Sequence, residues 1–138
     1  MDIRLTVLHP ASVSSLCQTS GAFGQPLSAA QAQMLLTCQS ETLLHLGRVD
    51  FSGGILPKLI QAFAPSPYIL TEDWAQTLAQ LTQLFYAFKN ETQDAVPDDD
   101  LIAAMADRFN GKCGGSLENL ADCARSEWIS ACLEKRCL

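Results

Sequence analysis

Residues 71–89 read TEDWAQTLAQLTQLFYAFK, and this stretch decides the fold. Large apolar side chains recur in it at alternating spacings of four and three residues, at Trp74, Leu78, Leu81, Phe85 and Phe88. This spacing places them on one face of an α-helix. Thr71 is the expected N-cap, and the acids after it complement the positive end of the helix dipole. The stretch therefore predicts a long helix whose apolar face forms the centre of a core.

Four other segments show helical spacing between start and stop signals. Ser28 is a suitable N-cap, and Gly47 a left-handed stop, for a helix over residues 29–46. The remaining helices are predicted over residues 55–63, 98–110 and 116–136. Five amphipathic helices with short connections specify an all-α fold, a single compact bundle.

The helix over residues 29–46 has one apolar face that we expect to be buried. Its members recur at three-to-four spacing and are Leu27, Met34, Leu35, Cys38, Thr42, His45 and Leu46. This assignment places His45 in or beside the core, which we prefer to a role as a catalytic base.

The N-terminal part of the chain lacks a long apolar repeat. Residues 3–7 alternate apolar and polar side chains, which predicts a short strand or an extended arm on the helices. Residues 11–26 are rich in Ser, Gly and Gln around one candidate helical turn near residues 13–17, and are expected to form a connecting loop. We therefore divide the chain into an arm and loop over residues 1–27 and a helical bundle over residues 28–138, one domain overall.

Composition excludes several classes of protein. Hydrophobic residues make up 48% of the chain and charged residues make up 17%. The hydrophobic fraction is too high, and the charged fraction too low, for a disordered chain. A net charge of −6 opposes binding to nucleic acid or to an anionic membrane. No apolar run is long enough to span a bilayer, and the first residues do not resemble a secretory signal. We expect a soluble cytoplasmic protein.

Six cysteines are present, at positions 17, 38, 113, 123, 132 and 137. On a single C-terminal helix the last three lie too far apart, or on opposite faces, to form disulfides with one another. The same spacing excludes a metal site built from them alone. We therefore predict buried or half-buried free thiols and no metal.

Motifs for catalysis and for cofactor binding are absent from the sequence. It contains no G-x-S-x-G, H-E-x-x-H, G-x-G-x-x-G or phosphate-binding P-loop motif. His9 and His45 are the only histidines, so few bases are present to activate a nucleophile. We predict no catalytic residues and no cofactor.

One turn resembles an anion-binding arrangement. Gly53 and Gly54 precede a helix that carries Lys58, so free backbone amides and an ammonium group would converge on an anion. The alternative is a tight turn between two packed helices with Lys58 in solvent. This turn is the candidate ligand site.

The acids Asp94, Asp98, Asp99 and Asp100 precede the fourth predicted helix. They lack the order of ligands that a calcium-binding EF-hand loop requires. Acids in the first turn of a helix stabilise it through the dipole, and we prefer this explanation to a cation site.

Tyr86 lies next to the apolar stripe of the central helix. We expect its side chain to point away from the stripe, and together with Lys89 it is the candidate partner surface. The alternative, which we prefer, is that Tyr86 belongs to a second packing face of a buried helix.

Several stretches of the sequence look like the motifs of one protein family. They are GRVDFSGGILPKLIQAF followed by SPY, then LTQLFYAFKNET, PDDDLIAAM and FNGKCGGSLENLA. In these stretches, between Ser28 and Ala124, the chain resembles a family of small proteins of unknown function from clostridial-type Firmicutes. The resemblance implies a bacterial cytoplasmic origin and transfers no catalytic residue.

Two functions remain open after these exclusions. The preferred one is a non-catalytic helical module that binds a protein partner or self-associates. The alternative is a protein that binds a small anionic ligand at the Gly53–Gly54–Lys58 turn, as an accessory enzyme subunit for example. Nucleic acid and membranes are not among the expected partners.

Overall fold

The computed structural model describes residues 10–48, 55–92 and 96–123, and these residues form helices joined by turns. The helices are α1 (Pro10–Ala22), α2 (Ala29–His45), α3 (Leu56–Phe63), α4 (Trp74–Glu91), α5 (Asp98–Asn110) and α6 (Leu117–Cys123). The described part of the chain contains no strand, so the all-α prediction is confirmed. The predicted strand over residues 3–7, and the predicted helix beyond Cys123, lie outside the described residues.

Helix α4 is the centre of the bundle. Its predicted stripe is fully buried, because every member from Trp74 to Phe88 is at most 1% exposed. Helix α2 packs along it, and α3 and α6 also contact it. Because neighbours lie on more than one side, α4 has a second buried face, formed by Ala75, Thr82, Tyr86 and Lys89.

The start of α4 differs from the prediction. Residues Thr71–Asp73 form a turn of 3₁₀-helix, and Asp73 is the N-cap of α4. Thr71 is therefore not the N-cap. Glu72 and Asp73 still lie where negative charge complements the helix dipole.

Helix α1 corrects the loop predicted over residues 11–26. Its Leu16 is buried in the core and its Ser20 is fully buried. The indole N–H of Trp74 donates a 2.8 Å hydrogen bond to Ser20 Oγ, and Ser20 Oγ donates to the carbonyl of Gln25. A polar side chain that is hydrogen-bonded in the core does not appear in an apolar repeat, which is why the spacing did not predict this helix.

Helix α2 begins and ends as predicted. Ser28 and Gln31 form a capping box: Ser28 Oγ accepts from the Gln31 amide at 3.1 Å, and Gln31 Oε1 accepts from the Ser28 amide at 2.9 Å. Gly47, with φ of +67°, follows the C-cap in the left-handed region. Gln39 Oε1, buried on the same helix, accepts a 3.2 Å hydrogen bond from the Ile55 amide and so joins α2 to the start of α3.

The turn after α5 holds the loop that follows α3. Gly115 has φ of +84°, and a Cβ atom added there would lie 2.5 Å from Cβ of Tyr68. The Tyr68 ring contacts Phe109 edge-on, with centroids 6.4 Å apart, and Phe109 contacts Phe63 in the same manner. Ser116 Oγ then accepts from the Asn119 amide at 3.2 Å, as predicted for the cap of the last helix.

Three of the six cysteines lie among residues whose side chains the structure describes. Cys17, Cys38 and Cys113 are free thiols, the first two half-buried and the third buried. The prediction is confirmed for these three, and the remaining cysteines lie outside the described side chains.

Candidate functional site

Lys58 lies on α3 and contacts a carboxylate of the same chain. Its Nζ atom is 2.9 Å from Oδ1 of Asp99 in the first turn of α5, and both side chains are exposed. Gly53 and Gly54 lie outside the described residues. The anion site remains a prediction, although the ammonium group assigned to it already has an anionic contact.

The prediction that Tyr86 points away from the core is wrong, and the partner surface assigned to Tyr86 and Lys89 is corrected with it. Tyr86 is 2% exposed and Lys89 is 7% exposed. The Tyr86 ring contacts Phe85 edge-on, with centroids 5.1 Å apart. These residues form the second packing face of α4, because helices surround α4 on more than one side.

The acidic first turn of α5 is an ionic cluster with lysines from two other helices. Asp98 Oδ1 lies 2.9 Å from Nζ of Lys89, which also donates a 2.8 Å hydrogen bond to the carbonyl of Val96. Asp99 contacts Lys58 in the same way. No group of three or more metal-ligating side chains occurs in the described part of the chain. The acids occupy the predicted first turn, and two of them join α5 to α3 and α4.

Helix α2 buries a different face from the one that the sequence predicts. Its buried residues are Ala32, Leu35, Leu36 and Gln39. This face is displaced from the predicted one by about 100°, the rotation that one residue makes along a helix. Met34 and His45 are therefore exposed, and the prediction that His45 lies in or beside the core is wrong.

A groove of about 620 Å³ runs between α2 and α4. The following residues line this α2–α4 groove: Cys38, Glu41, Thr42, His45, Leu46, Gln83 and Ala87. The sequence contains a signal for this groove, because Cys38, Thr42 and His45 recur at the three-to-four spacing of one helical face.

The thiol of Cys38 is not arranged as a nucleophile. Its Sγ atom lies 3.8 Å from the carbonyl oxygen of Ala79, to which the S–H donates. Burial raises the pKa of this thiol above its ordinary value of 9.0, a hydrogen bond with the Thr42 side chain opposes the rise, and the charge of Glu41 adds to it. A nucleophilic cysteine requires a lowered pKa or an adjacent base, so this thiol stays protonated at neutral pH.

The side of α2 that faces away from the core carries its own apolar residues. We call the following residues the outer stripe: Ala30, Met34, Thr37, Glu41 and Leu44. Their spacings are four, three, four and three, which align them along one face of a helix. Leu44 is 71% exposed and Met34 is 41% exposed. Glu41 is the only acid in α2.

The exposed surface of α4 also carries few charges. Its exposed side chains before Asn90 are Gln76, Gln80 and Gln83, of which Gln83 lines the groove, and the only ionised group of α4 in that range, Lys89, is buried. Helix α5, in contrast, carries four acids and one arginine over 13 residues. The described chain therefore has an acidic side at α5 and fewer charges on α2 and α4, whose acids are Glu41 and Glu91.

None of the described helices is long and apolar enough to cross a membrane. A family model described as a family of unknown function, DUF6323, matches residues 12–135 of the chain. No curated protein and no solved structure matches it.

Proposed function

Because the chain belongs to DUF6323, a family of unknown function, we propose a function from its own surface: a non-catalytic module that binds protein through the outer stripe of α2. The observation that carries the proposal is Leu44, a large apolar side chain in the last turn of α2 that is 71% exposed. Met34 adds a second exposed apolar side chain on the same stripe.

The charge distribution supports protein binding at this face. The central parts of protein interfaces are depleted of charged residues and enriched in methionine and aromatic side chains. The outer stripe has one acid, and the exposed residues of α4 before Asn90 are glutamines. Although the chain has a net charge of −6, a partner bound on this side would bury few charged groups. Such binding avoids most of the free energy cost of removing charges from water.

The absence of catalysis is part of the proposal. The Cys38 thiol donates to a backbone carbonyl, and its raised pKa keeps it neutral at physiological pH. His45 lies seven residues later, about 10.5 Å further along the helix axis, which is beyond hydrogen-bond reach of that thiol.

Native mass spectrometry of the chain purified from its own host tests this function. We expect a retained protein chain, which is lost in the variant Leu44→Glu and kept in Leu70→Glu. Leu70 is the matched control because it is 57% exposed and lies outside the outer stripe. A bound small molecule without a protein would contradict the proposal and favour the ligand-binding alternative.

We further propose that the protein works in the bacterial cytoplasm. The free thiols of Cys17, Cys38 and Cys113 support a reducing compartment, in which thiols persist. Host cells quenched in acid and then alkylated in denaturant, which exposes the buried Cys113 thiol, test this proposal. We expect all three thiols to be alkylated, and a disulfide involving any of them would contradict it.

A further inference from the structure

We propose that the protein partner of the outer stripe carries a basic residue, arginine or lysine, whose side chain enters the α2–α4 groove and pairs with Glu41. This inference rests on the proposed function, because it states the chemistry of the partner that binds the same surface.

Glu41 belongs both to the outer stripe and to the lining of the groove. Met34 precedes it by seven residues and Leu44 follows it by three, spacings that keep all three on one face of the helix. Met34 and Leu44 are the exposed apolar side chains of the stripe. A partner that covers both of them therefore also covers Glu41.

The groove itself offers Glu41 no lysine or arginine, since neither occurs among the described residues that line it. His45, which also lines the groove, is neutral in the net charge of −6 at pH 7. Arg48 follows α2 and donates from its guanidinium group to Asn90 Oδ1 at 2.5 Å. A partner without a cation would remove the Glu41 carboxylate from water and leave it unpaired, which is costly.

The other polar groups of the groove favour a hydrogen-bond donor. Thr42 Oγ1 donates to the carbonyl of Cys38 at 2.8 Å, so its lone pairs remain for a bound group. The Cys38 thiol in turn donates to the carbonyl of Ala79. An ionised carboxylate such as Glu41 only accepts. Arginine and lysine side chains have several donors and no acceptor, so they complement this set.

The groove also has apolar surface for the alkyl stem of a basic side chain. Leu46 lines it from the end of α2 and Ala87 from α4, and both are half-buried. Long basic side chains place their methylene groups along apolar surface and keep the charged end in a polar environment. A volume of about 620 Å³ accommodates a side chain of this length.

Two observations favour a protein over a small cation as the source of the basic group. Met34 and Leu44 lie outside the lining of the groove, so only a ligand that extends beyond the groove covers them. The net charge of −6 also attracts a basic partner protein over a longer range.

Two probes of similar shape test the groove in the full chain: n-butylguanidinium, a cation, and n-butylurea, its neutral counterpart. We expect n-butylguanidinium to shift the methyl resonances of Leu46 and Ala87 saturably in NMR titrations, and n-butylurea to bind about fivefold more weakly or less. Glu41→Gln should remove this preference. Glu72→Gln, which changes an exposed acid outside the groove, should keep it. Absence of saturable binding, or a preference that persists in Glu41→Gln, would overturn the proposal.

Charge reversal tests the partner. In native mass spectrometry of the chain from its own host, the retained protein should be lost in Glu41→Lys and kept in Glu72→Lys. Urea midpoints of both variants should stay close to that of the wild type, because both acids are exposed. A protein that stays bound to Glu41→Lys would overturn the basic side chain and leave the proposed function intact. A wild-type chain that carries no protein would overturn the proposed function itself.

Discussion

The Nζ atom of Lys89 lies 2.9 Å from Oδ1 of Asp98, and this contact joins the end of α4 to the first turn of α5. Lys89 is nearly buried and also donates to the carbonyl of Val96. The ion pair between Lys58 and Asp99 has the same length but lies in solvent. The two pairs therefore differ in burial and not in geometry.

We predict that Lys89→Ala lowers the free energy of unfolding by about 1–3 kcal/mol, because the Asp98 carboxylate and the Val96 carbonyl lose their common donor. Lys58→Ala should lower it by at most about 0.5 kcal/mol, since exposed pairs contribute little. Urea denaturation of both variants measures the difference, and equal losses would contradict this assignment of burial.

A second prediction concerns the core stripe of α4. Leu81 is fully buried, so Leu81→Ala should lower the free energy of unfolding by about 2–5 kcal/mol. Gln80 is exposed on the adjacent position, and Gln80→Ala should change it by less than about 0.5 kcal/mol. Urea midpoints of the two variants test the orientation of α4, and similar midpoints would mean that the helix is turned otherwise.

Gly115 gives a prediction with an internal control. Gly24 and Gly115 both have φ near +85°, but a Cβ atom meets nothing within 4 Å at Gly24 and lies 2.5 Å from Tyr68 Cβ at Gly115. Gly24→Ala should therefore cost about 1 kcal/mol of backbone strain. Gly115→Ala should cost about 1–3 kcal/mol more through the clash. Thermal unfolding of both variants checks this, and equal losses would exclude the close contact.

The raised pKa of Cys38 predicts a pH dependence of stability. A folded-state pKa above the unfolded value means that the folded chain holds its proton more tightly. The contribution is complete below about pH 9, the ordinary value for a thiol, and is lost as pH rises through the folded-state pKa. Cys38→Ser should remove this part of the alkaline loss of stability, measured as urea midpoints from neutral to alkaline pH. An unchanged alkaline profile would contradict the shift.

The ligand-binding alternative makes the opposite prediction at Lys58. An anion bound at its turn would raise the melting temperature of the wild type in sulfate more than that of Lys58→Ala. We expect equal shifts at matched ionic strength with chloride as the reference, because Asp99 already contacts the lysine. A larger shift in the wild type would restore the anion site as the candidate function.

The sequence predicts the helices best where apolar residues are large and confined to one face. The stripe from Trp74 to Phe88 satisfies both conditions, and its burial agrees with its spacing. The burial of Tyr86 agrees with the second packing face given as the alternative to a partner surface, since a helix with neighbours on several sides buries two faces. Ala75, Thr82, Tyr86 and Lys89 also recur at helical spacing, which is the signal that the sequence offered for the second face.

Helix α2 shows where spacing fails. Apolar residues surround it, so several faces satisfy the same three-to-four pattern, and the one that packs is set by the tertiary structure. The predicted buried face of α2 is turned by about one residue's rotation from the observed one. Ala32 and Gln39 are therefore buried in place of Met34 and His45. Helix α2 has more apolar residues than its packed face can bury, so Leu44 is exposed. The candidate surface is built on this exposed residue.

Hydroxyl-radical footprinting of Met34 tests the central claim, that the outer stripe of α2 is an interface, most directly. The recombinant chain at high dilution is compared with the chain as purified from its host. We predict that oxidation of Met34 falls in the host-purified assembly, while labelling of Tyr68 and Leu70, both exposed elsewhere on the surface, is unchanged. Equal oxidation of Met34 in both samples, or protection of Tyr68 and Leu70 in its place, would contradict the claim.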